Sequence, residues 1–346
     1  MEVADVYVSG VGLHLPRRMP VAEVAERGLA DWRTIRRTGM RSVCVGDQSG
    51  PEMAVEAAKE ALRAAGAAPA DIGLVLHAST WFQGHDLWAP ASYVQREAVG
   101  NTCLSMQVGQ LSNGGMAAME LAVTQLRADS GPHSVLITTG DRFCLPGFDR
   151  WRTDPGTVCG DGGTAIVLSR AGGFARLRSL VTVSDPALEG MGRGDDDFAP
   201  APLGARSPIS VAASRDHLVH EVGLTNLLER LQSGQRAAFN QALDESGTKA
   251  AHVNWFVLPN LGRPKMDAQF FQVLDIEPER STWSWGSEVG HLGAGDPFAG
   301  LASLVRTRAL SPGQFCVLVS AGGGFAWSVA VLEIVDEPPA SRHIGD

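Results

Sequence analysis

Two distant stretches of this chain read alike: DIGLVLHAST (residues 71–80) and VNWFVLPNLG (residues 253–262), with Ile72 and Asn254 standing 182 positions apart. The same interval relates SVLITTG (134–140) to CVLVSAG (316–322), and SNGGMAAMELA (112–122) to AGDPFAGLASL (294–304). Upstream, EALRAAG ends at Gly66 and QALDESG at Gly247, one position off that interval. A repeat this long means one architecture built twice. Each half reads as helix, apolar strand, Gly-rich turn, apolar helix, apolar strand, glycine and final strand. The final strands are GDGGTAIVL (160–168) and GGGFAWSVAVLEI (322–334), and the first half inserts roughly twenty residues, Asp141 to Cys159, before its own. Short apolar strands without alternation are covered on both faces. Strands alternating with helices imply βαβ units and mainly parallel sheets. The expected fold is a layered α/β body of two pseudo-two-fold-related halves, residues 1–172 and 173–346. Residues 190–208, rich in Gly, Pro and Asp, read as a surface loop whose Asp195-Asp196-Asp197 run is solvated rather than metal-binding.

Composition acts mainly by exclusion. A net charge of −9 and the lack of a Lys/Arg run argue against a nucleic-acid surface. No apolar run reaches the ~18 residues of a membrane span. The opening MEVADVYVSGVG has neither a basic n-region nor an apolar h-region, so no signal peptide is expected. Five scattered cysteines without CxxC pairs read as buried thiols in a reducing cytosol, which predicts a cytoplasmic protein. The nine histidines show no metal-ligand spacing, so no metal or cofactor is expected.

Four motifs follow one another along nearly the whole chain: DWRTIRRTGMRS (31–42), QVGQLSNGGMAAM (107–119), CGDGGTAIVL (159–168) and GGGFAW (322–327). Together they resemble the thiolase-fold condensing enzymes, most closely the ketoacyl-ACP synthase III family. The first looks like the family's Trp-x-x-x-Arg-Thr-Gly-Ile segment, the second like its nucleophile elbow, the third like its GDGAGA strand and the fourth like its C-terminal glycine turn. The resemblance implies the thiolase fold, an αβαβα stack, and the duplication is that family's architecture. Two departures stand out. The family's nucleophilic cysteine, in an Ala-Cys-Ser-Gly turn, is replaced by Ser112. The family's histidine, in His-Gln-Ala-Asn, is missing from LPNLGRP (258–264), and its asparagine turn falls near GSEVGHLGAGDP (286–297), which supplies His291 and Asp296. Ser112, His291 and Asp296 would form a new triad. This looks like the serine-containing branch of ketoacyl-synthase-III-like acyltransferases of polyketide and other natural-product pathways.

A serine hydroxyl is a weak nucleophile and needs an adjacent base. His291 is the candidate base, and Asp296 would fix its tautomer and stabilise the imidazolium. Asp296 lies 182 positions from Gly114, so two facing helix starts would bring these groups together. The Ser112 N–H, at a helix N-terminus, would receive the oxyanion, and the resemblance implies a further N–H from the glycine turn at Gly323. By family analogy Trp32 stacks on the adenine of coenzyme A and Arg37 belongs to the same segment. Pro155 stands where the family has a second arginine, for which Arg150 or Arg152 could compensate. Trp81, Phe82 and Trp88 should line the pocket and suggest a short or flat acyl group. Each residue has an ordinary reading too: Ser112 and Asp296 as helix N-caps, His291 as a satisfied histidine, Trp32 as packing. Asn260 reads as a turn former that could also hydrogen-bond a substrate carbonyl. Joint placement at the family's functional positions favours catalysis.

The expected activity is acyl transfer from acyl-CoA or acyl carrier protein, through acyl-Ser112, to a small-molecule hydroxyl or amine or a carrier-protein thiol. Condensation with malonyl-carrier protein stands close behind. A serine esterase and a non-catalytic synthase partner remain as alternatives, and family members' dimers imply a homodimer. The turn GQLSNG and the order Ser-His-Asp differ from the α/β-hydrolase pattern.

Overall fold

The computed structural model describes residues 1–339. Its main sheet has nine strands: β1 (Tyr7–His14), β2 (Ile72–Ala78), β3 (Leu104–Val108), β4 (Ser134–Asp141), β5 (Gly162–Ser169), β6 (Ala175–Ser184), β7 (Val253–Val257), β8 (Phe315–Gly322) and β9 (Ala326–Ile334). They lie in the order β3-β2-β4-β5-β1-β6-β9-β8-β7. The first five belong to one half and the last four to the other. The halves join where β1 meets β6, pairing Tyr7 with Arg176 and Val8 with Ala175.

Five helices position the site: α1 (Trp32–Arg37), α2 (Gly50–Ala65), α3 (Gly114–Arg127), α4 (Leu224–Ser246) and α5 (Asp296–Arg306). Helix α2 packs on β1, β4 and β5, and α4 on β6 and β9. Between the two strand groups lie α3, against β2, β4 and β9, and α5, against β1, β7 and β8. This is the αβαβα stack that the family resemblance implies. Helix α2 begins with a reciprocal capping box of Ser49 and Glu52. Both α2 and α4 end on a left-handed glycine, Gly66 (φ 62°) and Gly247 (φ 68°), a conformation that other residues adopt only at a cost.

The sheet departs from the mainly parallel arrangement expected from alternating strands and helices. Only β2–β3, β2–β4 and β7–β8 run parallel. The other five neighbouring pairs are antiparallel. The physical reason is that the last strand of each half returns without a crossover helix, β9 through the tight turn 323–325 and β5 through the insertion 142–161.

The repeat interval is also corrected. The 3₁₀ turns Leu111–Asn113 and Gly293–Gly295, and the helices α3 and α5 that follow, keep the interval of 182. The strands keep 181: the ladder skips Gly73 in one half and Asn254 in the other, and Ser134 opens β4 where Phe315 opens β8. One residue of slip exchanges the two faces of a strand. The counterpart of Gly322 is therefore Asp141, not Gly140.

The two central helix starts face each other, as the repeat implies. A Cβ on Gly115 would strike the Ala294 carbonyl, and one on Gly114 would stand 3.1 Å from Ala78 Cβ. Every residue from Asp296 to Val305 is buried. Among the described residues no helix is long and apolar enough to cross a membrane.

Candidate active site

Strand β3 delivers the chain to the turn 109–110, and the 3₁₀ turn Leu111–Asn113 follows. Leu111 has φ 46°, a left-handed conformation worth on the order of 1–3 kcal/mol of strain. Directly after it, Ser112 Oγ lies 2.8 Å from His291 Nε2. His291 Nδ1 lies 2.5 Å from Asp296 Oδ2. The structure thus brings together three side chains from both halves. It settles the capping alternatives locally: the residue before α3 is Asn113, that before α5 is Gly295, and neither helix takes a side-chain cap.

The histidine is held by its main chain as well. His291 N–H donates to Val158 O, and His291 O accepts from Gly160 N–H, both at 2.9 Å. The first-half segment before β5 therefore carries the second-half histidine. Asp296 is buried at 2% exposure and accepts from Leu292 N–H (2.8 Å), Asn260 N–H (2.8 Å) and Asn260 Nδ2 (3.1 Å), besides His291. A carboxylate with this many donors has its rotamer fixed.

Burial pushes the His291 pKa down, but the charge and hydrogen bond of Asp296 outweigh it and hold the pKa above the ordinary histidine value. With Nδ1–H committed to Asp296, Nε2 is the free lone pair that faces Ser112 Oγ. Cys159, paired with His291 in a short parallel bridge, is no rival nucleophile: burial pushes its thiol well above the usual range.

The glycine turn closes on the serine. A Cβ on Gly322 would stand 2.9 Å from Ser112 Cβ and 3.3 Å from Ser112 N, and Ser320 Oγ donates to Ser112 O at 3.1 Å. The neighbouring Gly323 has φ 44° and lies against Gln110, whose Nε2 donates to Gly323 O at 3.5 Å.

Other predicted site residues are placed differently. Asn260 is 1% exposed, and its amide is spent on Asp296 and on Gly290 O (3.0 Å), so it orients the carboxylate instead of meeting a substrate carbonyl. Arg150 is buried and paired with Asp161 at 2.9 Å, which removes it from the mouth of the site. Arg152 is exposed and paired with Asp149 at 3.0 Å. On α1, Arg37 is exposed, and Trp32, half exposed, carries the Arg36 guanidinium over its ring at 5.2 Å. The three aromatics do not form one wall. Trp81 packs edge-on against Phe148 at 5.4 Å, Trp88 against His85 and Tyr93, and Phe82 is exposed. Sequence reasoning missed Asp141, a buried carboxylate at the end of β4 that accepts from Thr80 N–H and Trp81 N–H. The signal was a charged residue ending an otherwise apolar strand.

Comparison with known proteins follows the same lines. Residues 243–334 match the family described as 3-oxoacyl-[acyl-carrier-protein (ACP)] synthase III C terminal. A β-ketoacyl-[acyl-carrier-protein] synthase III of Sphingopyxis alaskensis is 29% identical over 340 residues, covering 94% of this chain and 98% of that protein. The structure of ChlB3, an acyltransferase, superposes with a TM-score of 0.91 at 33% identity, over 98% of this chain and 100% of the other. The 3-oxoacyl-(acyl carrier protein) synthase III of Pseudomonas aeruginosa PAO1 has a TM-score of 0.77 at 20% identity, over 96% and 99%, and shares the fold.

Proposed function

This chain belongs to the ketoacyl-ACP synthase III-like group of the thiolase superfamily, and on that premise we propose that it is an acyltransferase working through an acyl-serine at Ser112. The observation that carries the reading is the unbroken hydrogen-bonded line from Ser112 Oγ through His291 to Asp296. Ser112 Oγ attacks the carbonyl carbon of an acyl thioester while its proton passes to His291 Nε2. The oxyanion forms beside Ser112 N–H and the Gly323 turn, where one backbone donor contributes roughly 2.7–4 kcal/mol. The C–S bond then breaks, and the leaving thiolate takes the proton from His291. In the second half-reaction an acceptor O–H, N–H or S–H gives its proton to His291 and attacks the acyl ester, and Ser112 leaves as the alcohol. The donor is acyl-CoA or an acyl carrier protein, with Trp32, Arg37 and Arg152 near the nucleotide end. The product fits a natural-product pathway of the polyketide type.

Transfer to a heteroatom is favoured over condensation. A malonyl enolate needs a donor on its thioester oxygen. Asn260, near the place of the family's histidine, is buried and committed to Asp296 and Gly290. His291 is the titratable group in contact with Ser112, and it is already the base for that serine.

The test is intact-protein mass spectrometry after incubation with acyl-CoAs and acyl carrier proteins. An acyl adduct that disappears in Ser112→Ala is expected. Absence of any adduct with every donor would sink the reading in favour of a non-catalytic partner. Adduct decay in water as fast as with acceptors would make the protein an esterase. Carbon dioxide release from malonyl-carrier protein would make it a condensing enzyme.

A further inference from the structure

The interval of 182 pairs Ser112 with Ala294, and the strand interval of 181 pairs Gly322 with Asp141. Both strand ends point at a helix start of the opposite half. Gly322 lies close against the Ser112 turn, where a Cβ would stand 3.3 Å from Ser112 N and from Asn113 N. Asp141 faces the other start: a Cβ on Gly293 would stand 2.5 Å from Asp141 Oδ2. The same carboxylate accepts from Thr80 N–H at 2.8 and 3.0 Å and from Trp81 N–H at 2.7 Å. One half sets a glycine, without a side chain, beside its helix start. The other half fills the equivalent position with an anion of its own.

Such an anion is costly. Asp141 is fully buried, and among the described residues no lysine or arginine pairs with it. Burial pushes its pKa up to about 7 against the pull of the backbone N–H groups, and the charged side chain acting on it is His291. The acyl-transfer steps above make no use of it. Its position suggests what it does. The segment 291–294 is held at Leu292 N–H by Asp296, and Gly293 packs against the Asp141 carboxyl, where a Cβ would stand 2.5 Å from Oδ2. Asp141 also ties that segment to the loop carrying Thr80 and Trp81, from the opposite half.

We propose that Asp141 is a positioning residue for His291: a buried carboxyl group in the second half's counterpart of the Ser112 turn, fixing the turn that presents the histidine to Ser112. The proposal rests on the Ser112–His291–Asp296 reading. If that reading fails, the wild type forms no adduct on Ser112. If only the present proposal fails, the wild type acylates and the variants below match it.

Asp141→Asn in the full chain keeps the shape and removes the charge. The expected result is a loss of about 100-fold in the acylation rate at saturating donor, as for a displaced catalytic group, with the donor KM unchanged. Deuterium uptake should rise together in peptides spanning 79–82 and 291–295. The acid limb of the rate profile should move to lower pH, because an anion beside an imidazole holds its proton. A wild-type rate with an unmoved limb would overturn the proposal. Gly293→Ala is the second variant, should Asp141→Asn not fold. It sets a methyl against Asp141 Oδ2 and Thr80 Oγ1, both 2.5 Å away, and should slow acylation in the same way. Full activity in that variant would equally overturn the proposal.

Discussion

In the proposed mechanism His291 accepts the Ser112 proton only as the neutral imidazole. Its pKa is raised, so acylation should be complete at alkaline pH and be lost as the pH falls through a value above the ordinary 6.5. Asp296 is what raises it. Asp296→Asn should therefore do two things that stopped-flow acylation across pH can separate. The plateau rate should drop by about four orders of magnitude, as when a triad loses its orienting carboxylate, and the acid limb should move to lower pH. A limb that stays in place would mean that another group sets it. The three side chains that the structure brings together were legible in the sequence because Ser112 stands where the family has its cysteine, while His291 and Asp296 lie near the family's asparagine turn and Asp296 matches Gly114 in the repeat. Asn260 was misread because its residue type suits a substrate contact equally well. Only its burial and its two bonds, to Asp296 and Gly290, decide the matter.

At the level of elements, the site depends on two helices meeting end to end without side chains in the way. Gly115→Ala adds one methyl between α3 and α5, against the Ala294 carbonyl and 3.2 Å from the Phe298 ring. Overpacking of this kind costs roughly 1–3 kcal/mol. The urea midpoint should fall accordingly, and an unchanged midpoint would show that the helix starts have slack. The helices were easy to align in the sequence because their small residues recur in register. The strands were placed one residue off, since uniformly apolar strands carry no alternation to mark which face is which. The ladder irregularities at Gly73 and Asn254 reveal the true register only in three dimensions. For the same reason the antiparallel return of β5 and β9 was hidden: apolar strands look alike in both directions.

On the scale of the whole molecule, β3 is an edge strand next to β2, with Leu104 60% and Met106 40% exposed. An apolar, unpaired edge is a pairing surface. We expect two copies to join β3 to β3, and light scattering after gel filtration should give twice the chain mass. Leu104→Glu with Met106→Lys should halve it; a dimer that survives would place the interface elsewhere. Ala294 occupies in the second half the place that Ser112 occupies in the first, and it has no hydroxyl. Active-site titration should accordingly stop at one acyl equivalent per chain and two per dimer, although each chain contains two such helix starts and the dimer four. The duplication doubles the scaffold without doubling the stoichiometry.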